Sequence, residues 1–253
     1  MTRHISPASV FLPVIQPVTQ TVDSTSSPDQ TRLDAWSIEH AHNSAQELLA
    51  WAGQEFGDKL ALTCSFGGPT GMVLVDLVAK HAPKTPVFVI DTQVLFDQTY
   101  KTIEAVEKHY NLKVRFAVPE FTLDAQAQEF GPELWKSNPN QCCDIRKVQP
   151  LRRTLKNYRA WITGVRRDQA STRADTQLVS WGKNNNVIKL CPLAAWTEDQ
   201  VWAYIYANDV PFNPMLKEGY TSIGCTHCTQ KPSSDDPRSG RWAGTGKTEC
   251  GLH

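Results

Sequence analysis

Residues 60–71 read Leu60-Ala61-Leu62-Thr63-Cys64-Ser65-Phe66-Gly67-Gly68-Pro69-Thr70-Gly71, and a helical run from Met72 to Lys80 follows at once. The short apolar run that opens this stretch is the mark of a strand buried on both faces. The serine and glycines after it let consecutive backbone N–H groups face an anion, and the next helix contributes its positive end. Taken alone, such a loop is more often an ordinary tight strand-to-helix turn. The alternation continues, however. Val87–Ile90 and Val114–Val118 are further strands on either side of a helical stretch over Phe96–Tyr110, and Ala160–Thr163 and Val187–Leu190 complete the set. Thr197-Glu198-Asp199-Gln200 is a capping segment that opens a helix to about Ala207. Ahead of the first strand, Ala35, Ile38, Ala41, Ala45, Leu48, Leu49 and Ala52 fall at three- and four-residue steps and predict one helix over Asp34–Phe56. Strands alternating with helices imply an α/β fold with a doubly wound, mainly parallel sheet. Ligands of such sheets lie beyond the carboxyl ends of the strands. Three polar loops fall there: Ser65–Gly68, Asp91-Thr92 and Gly164–Asp168. Asp91 suits either a helix cap or a hydrogen bond to a ribose.

At 253 residues, 40% apolar and 21% charged, the chain is long enough for one large domain with appendages. We expect the α/β domain over 31–236, a disordered leader over 1–30 and a mobile C-terminal tail over 237–253. The leader is rich in Pro, Ser, Thr and Gln without a sustained period. Nothing acidic precedes Asp23, which leaves an organelle-targeting role open, but Phe11-Leu12-Pro13-Val14-Ile15 is too short and proline-broken for a secretory core. No stretch approaches the ~20 apolar residues that span a bilayer, so no membrane role is expected. Twenty-six basic and twenty-six acidic residues cancel, which removes any global drive toward nucleic acid. The balance hides a local bias. Nine Lys or Arg between Arg146 and Arg173 face only Asp168, enough to hold a strongly anionic ligand, although Arg152, Lys156 and Arg159 read as a solvated helix face.

Seven cysteines divide by spacing: Cys142-Cys143, Cys225-Thr226-His227-Cys228, a near-terminal Cys250, and Cys64 and Cys191 within or beside apolar runs. The last two are expected to pack in the core. An odd count in a chain of this length argues against a disulfide framework. A thioredoxin-like role for the Cys225–Cys228 pair would need a strand before it and a helix opening on it, whereas its surroundings read as loop. Four thiolates holding a metal, with a fifth left to react, fit better. Adjacent cysteines wrap a tetrahedral zinc poorly, and spacing therefore favours an iron–sulfur cluster, which offers a separate iron to each thiolate. Reduced thiols and a labile cluster place the protein in the cytoplasm.

The segments Cys64-Ser65-Phe66-Gly67-Gly68, Val89-Ile90-Asp91-Thr92, Cys142-Cys143-Asp144-Ile145-Arg146-Lys147, Gly164-Val165-Arg166-Arg167-Asp168-Gln169 with Thr172-Arg173, Gly224–Cys228, Arg238–Trp242 and Glu249-Cys250-Gly251-Leu252-His253 together resemble the assimilatory adenylylsulfate (APS) reductases, relatives of the phosphoadenylylsulfate (PAPS) reductases. The resemblance spans about residues 60–253 and implies a PP-loop adenine-nucleotide fold, a 4Fe–4S cluster, a sulfonucleotide substrate, and thioredoxin or a similar thiol donor. It implies an activity in sulfate assimilation and cysteine biosynthesis: reduction of APS to sulfite and AMP through an S-sulfocysteine. It also implies that Cys142, Cys143, Cys225 and Cys228 hold the cluster and that Cys250 is the nucleophile on a swinging tail. Substrate contacts are then expected from Ser65, Phe66, Gly67, Gly68, Asp91, Thr92, Gly164 and His253, with Lys147, Arg166, Arg173, Arg238 and Arg241 clamping phosphate and sulfate oxygens. A homo-oligomer is expected. Where many relatives carry an acidic residue soon after the loop glycine, this chain has Pro69-Thr70-Gly71, which argues against ATP-cleaving PP-loop enzymes. The alternatives are a PAPS reductase or dual-specificity enzyme, an RNA sulfurtransferase, and a non-catalytic iron–sulfur regulator. The sulfurtransferase would need an acidic pyrophosphate loop and an RNA-binding domain, and the regulator would not need Cys250.

Overall fold

The structure, a computed structural model, describes residues 30–234, 236 and 238–252. Six strands, Leu60–Thr63 (β1), Val87–Ile90 (β2), Val114–Ala117 (β3), Ala160–Ile162 (β4), Val179–Gly182 (β5) and Val187–Leu190 (β6), form one sheet in the order β3-β2-β1-β4-β6-β5. All neighbours are parallel except β5, which turns back against β6. The chain winds outward from β1 through β2 to β3, then restarts at β4 on the other side of β1. Crossovers diverge at that boundary and leave a crevice at the strand ends, where doubly wound sheets bind ligands.

The helices are Gln30–Glu39 (α1), Ala45–Phe56 (α2), Pro69–His81 (α3), Asp97–Tyr110 (α4), Leu123–Phe130 (α5), Leu134–Ser137 (α6), Pro139–Cys143 (α7), Gln149–Leu155 (α8) and Glu198–Ala207 (α9). Side chains of β1 alternate between two cores. Leu60 and Leu62 join Leu48, Leu74 and Ile205 on one face, while Ala61 joins Leu151, Leu155 and Trp161 on the other. Both faces of the sheet are thus covered, as its continuous apolar strands require. Among the described residues no helix is long and apolar enough to cross a membrane.

Three local features differ from the sequence reading. The single helix expected over Asp34–Phe56 is two, because Ser44 and Glu47 form a capping box: the Glu47 N–H donates to Ser44 Oγ (3.2 Å) and the Ser44 N–H to Glu47 Oε2 (2.8 Å), starting a new helix. The strand β5 was not expected; a turn over 183–186 joins it to β6, with Asn186 in the left-handed region at φ 53° that asparagine tolerates. Residues 144–148, between α7 and α8, are wound as a π-turn. Pro150 has no N–H to offer the Arg146 carbonyl one turn back, so the rod cannot continue there as a regular α-helix. The expected leader lies outside the described residues apart from Gln30, which begins α1.

Candidate active site

A cleft of about 350 Å³ opens at the β1/β4 boundary, large enough for a small-molecule ligand. Ser65, Gly68, Thr92, Lys147, Gly164, Arg166, Arg238, Arg241 and Cys250 all line it, as do Thr70, Thr163, Glu198, Thr221, Ser222, Gly224 and Trp242. Gly68 precedes α3 in an extended conformation, with no side chain capping the helix and Pro69 at its first position. The first-turn N–H groups of α3 therefore border the cleft without a capping partner. Phe66 is fully buried at φ 53°, a strained conformation for an aromatic residue. It is held because buried Asn213 donates to the Phe66 carbonyl (3.1 Å) and to Thr99 Oγ1 on α4 (3.1 Å).

The cations differ in how free they are. Arg166 is buried and already pairs with Asp168 (2.9 Å) and Glu198 (3.6 Å), and it donates to Thr70 Oγ1. Thr70 thus anchors an arginine at the start of α3. Arg241 donates to the Cys228 carbonyl (3.2 Å) and to Ser222 Oγ (3.3 Å), and stacks 4.5 Å over the Trp242 ring. Its guanidinium lies so close to Gly224 that a Cβ there would overlap it. Burial pulls the Arg241 pKa down from its ordinary value. Such a guanidinium gains most when an anion joins it.

Cys142, Cys143, Cys225 and Cys228 line a second, smaller cavity together with Trp135, Arg146, Lys147 and His227. Adjacent positions on α7 splay Cys142 and Cys143 by about 100°, so the two sulfurs approach from different directions. Burial pushes the thiols of Cys142 and Cys228 up to about 11, with the neighbouring sulfurs adding to the effect. Thiols with this much cost attached to their anions gain strongly from a cation. Among the described residues no three His, Cys, Asp or Glu are gathered around one ion position. The Cys225 sulfur lies 3.3 Å from Thr92 Oγ1, and Arg146 is committed to the Thr92 carbonyl, Gln93 and Gln126. Arg146 is therefore a framework residue of this wall. Lys147 borders both cavities. Burial favours its neutral amine, but the thiolate charges of Cys225, Cys143 and Cys250 outweigh burial and hold its pKa above the ordinary lysine value.

Cys250 is half-buried at the cleft on a docked tail. Glu249 pairs with Arg173 (2.7 Å) and Arg238 (3.3 Å), Lys247 Nζ donates to Asn140 Oδ1 (2.5 Å), and Asn185 donates to the Leu252 carbonyl (3.1 Å). Arg173 consequently does not line the cleft, and neither do Phe66, Gly67 and Asp91. Gly67 serves a close approach instead, since a Cβ there would stand 2.7 Å from the Ile223 carbonyl oxygen. Asp91 accepts from the Gln93 N–H (2.7 Å) and the Tyr100 hydroxyl (2.8 Å), which fixes the turn after β2. His253 lies outside the described residues. Cys64 and Cys191 are buried, Cys64 beneath the wall of the cleft, and burial pushes the Cys64 thiol up to about 12. Sequence reasoning missed Thr70, Thr221, Ser222 and Trp242 as lining residues. Two of these carried a signal, Trp242 by its place in the Arg238–Trp242 segment and Thr70 by its place in Pro69-Thr70-Gly71, whereas nothing local marked Thr221 and Ser222.

The phosphoadenosine phosphosulfate reductase domain model matches residues 59–231. The chain is 46% identical over 221 residues to the adenosine 5'-phosphosulfate reductase of Lysinibacillus sphaericus, covering 86% of this chain and 94% of that protein. It is 43% identical over 223 residues to the protein of the same name from Staphylococcus haemolyticus, covering 87% and 91%. Its fold is similar to the crystal structure of phosphoadenylyl-sulfate reductase from Candida auris in a phosphate complex, with a TM-score of 0.71 and 33% identity over 82% of this chain and all of that one.

Proposed function

This chain belongs to the phosphoadenosine phosphosulfate reductase family, and on that premise we propose that it reduces adenylylsulfate to sulfite and AMP with electrons from a thiol donor. The observation that carries the reading is the convergence of Cys250, Lys147 and Arg241 on a nucleotide-sized cleft at the PP-loop. Sulfur transfer requires a soft nucleophile able to reach a sulfur crowded by oxygens, and thiolate is the side chain suited to it near neutral pH.

In this reaction the Cys250 thiolate attacks the sulfate sulfur. The bond from that sulfur to the bridging oxygen breaks, its electron pair leaves with AMP, and Cys250 becomes an S-sulfonate. A thiolate of the donor then attacks the Cys250 sulfur, sulfite departs with the bonding pair, and a mixed disulfide forms. A second donor thiol releases Cys250, so the dithiol supplies both electrons. Lys147 and Arg241 offset charge on the phosphosulfate, and the first turn of α3 offers N–H groups to the same anion. Arg238 stands at the rim with the tail.

Cys142, Cys143, Cys225 and Cys228 would hold a 4Fe–4S cluster. The donor set fits: four thiols line one cavity with Thr92, Arg146 and Lys147 around them. Bound there, the cluster would supply a compact charged centre, and Lys147, which borders both cavities, would carry its ammonium between that centre and the substrate cleft. On this reading the protein works in the cytoplasm, where thiols are kept reduced, with thioredoxin or a similar protein as donor and a homo-oligomer as its assembly. The discriminating experiment is sulfite release by anaerobically purified protein, with APS and PAPS side by side and several thiol donors. Release from APS with stoichiometric AMP supports the reading, and a clear preference for PAPS makes the protein a PAPS reductase.

A further inference from the structure

Glu249 makes an ion-pair array that the reaction as written does not use. Nε and Nη2 of Arg173 both donate to Glu249 Oε1 (3.1 and 2.7 Å), and Nη2 also reaches Oε2 (2.8 Å), a fork closed on a carboxylate 76 residues away in sequence. Arg238 adds a contact to Oε2 (3.3 Å) and a second to the Thr248 carbonyl (3.0 Å). Arg173 is itself anchored, because its Nη1 donates to Gln169 Oε1 (2.5 Å), the atom that also accepts the Arg166 N–H (3.1 Å). The array is therefore keyed to the loop that follows β4 and borders the cleft.

We infer that Glu249 is a positioning residue, whose carboxylate latches the tail onto Arg173 and Arg238 and so sets Cys250 against the cleft. The carboxylate belongs to the residue directly before the nucleophile, and consecutive Cα atoms are only ~3.8 Å apart, so fixing one fixes the other closely. Beyond Cys250 the described tail is tied by one hydrogen bond, from Asn185, and by Leu252 packing on the Leu155–Trp161 cluster. With 34% of the Glu249 side chain and 13% of that of Arg173 exposed, the pair is partly screened and can open. That suits a tail that closes for sulfur transfer and opens to a reductant. Arg173 is thereby assigned to the tail, away from the phosphosulfate.

The inference rests on the reductase reading, and its test separates the two. Glu249→Gln, Arg173→Gln and the double variant are compared with wild type in the cluster-loaded protein. Three quantities are measured: trypsin cleavage after Lys247, the Kd for AMP, and the single-turnover rate of sulfur transfer from APS. A partly buried charged contact of this kind predicts cleavage about fivefold faster and transfer about fivefold slower in each single variant. AMP affinity should stay within about twofold of wild type, and the double variant should be no worse than Glu249→Gln alone, which already removes the contacts to both Arg173 and Arg238. Glu249→Asp should recover part of the transfer rate. Weakened AMP binding in Arg173→Gln with unchanged tail cleavage in Glu249→Gln would overturn the latch, as would fully additive losses. If cleavage responds as expected but wild type transfers no sulfur from APS, the latch stands and the functional reading falls.

Discussion

At the scale of single residues the account turns on which cysteine reacts. Cys250→Ser should lower sulfite release at least about a thousandfold while AMP binding persists, because an alcohol cannot replace a thiolate nucleophile. Cys64 and Cys191 should resist iodoacetamide at pH 8 in the native protein, since burial holds their thiols at about 12 and about 11, so the thiolate is scarce below those values. Their alkylation at the rate of Cys250 would mean that the core is looser than it looks. Gly224→Ala should push the Arg241 guanidinium aside, as a flexible side chain can yield. A fall in kcat/KM on the order of tenfold to a hundredfold with little change in Tm would follow from misplacing an anion-binding group. Residue identity was the most legible level in the sequence: paired cysteines, the terminal cysteine and strand-end polar residues were visible as types and spacings. The Arg173–Glu249 pair was not. Nothing local marks two charges 76 residues apart as partners, and the sequence reading placed Arg173 on the substrate.

At the scale of elements, the loop after β1 is held by distant chain. Asn213→Ala should strip the Phe66 carbonyl and the Thr99 hydroxyl of a buried partner and cost about 2–3 kcal/mol, read as a fall in the urea midpoint at unchanged m. A cost below about 0.5 kcal/mol would show that this loop does not depend on Asn213. The central parallel strands β1, β2 and β4 were readable because strands buried on both faces are continuously apolar, whereas the edge strand β3, with Arg115 and Phe116 exposed, was readable from its β-branched and aromatic residues. What escaped followed from local chemistry that periodicity overlooks. A helical period ran unbroken from Asp34 to Phe56, yet Ser44 and Glu47 start a second helix, a signal present in the sequence and outweighed by the period. The strand β5 is short and half-exposed, and it pairs antiparallel at the sheet edge, where apolar continuity is not required. The π-turn over 144–148 goes with Pro150, which has no N–H for the Arg146 carbonyl, and the turn carries Lys147.

At the scale of the whole molecule, two cavities share Lys147, and the tail closes one of them. Protein purified without oxygen should carry about four irons and four acid-labile sulfides per chain, whereas stoichiometric zinc without labile sulfide would replace the cluster by a different metal. The cleft also bears on substrate choice. The 3'-phosphate of PAPS adds about −1.5 to −2 charges that need their own cations. Arg166 is spent on Asp168 and Glu198, and Arg173 and Arg238 on Glu249, so kcat/KM should favour APS at a fixed ionic strength. All of this depends on sulfur passing through the tail. The most direct test is mass spectrometry of the peptide containing Cys250 after incubation with APS in the absence of any reductant. The account predicts a mass gain of one SO3 on Cys250 with one equivalent of AMP released, and an adduct on Cys225 or Cys228, or AMP release with Cys250 unmodified, would contradict it.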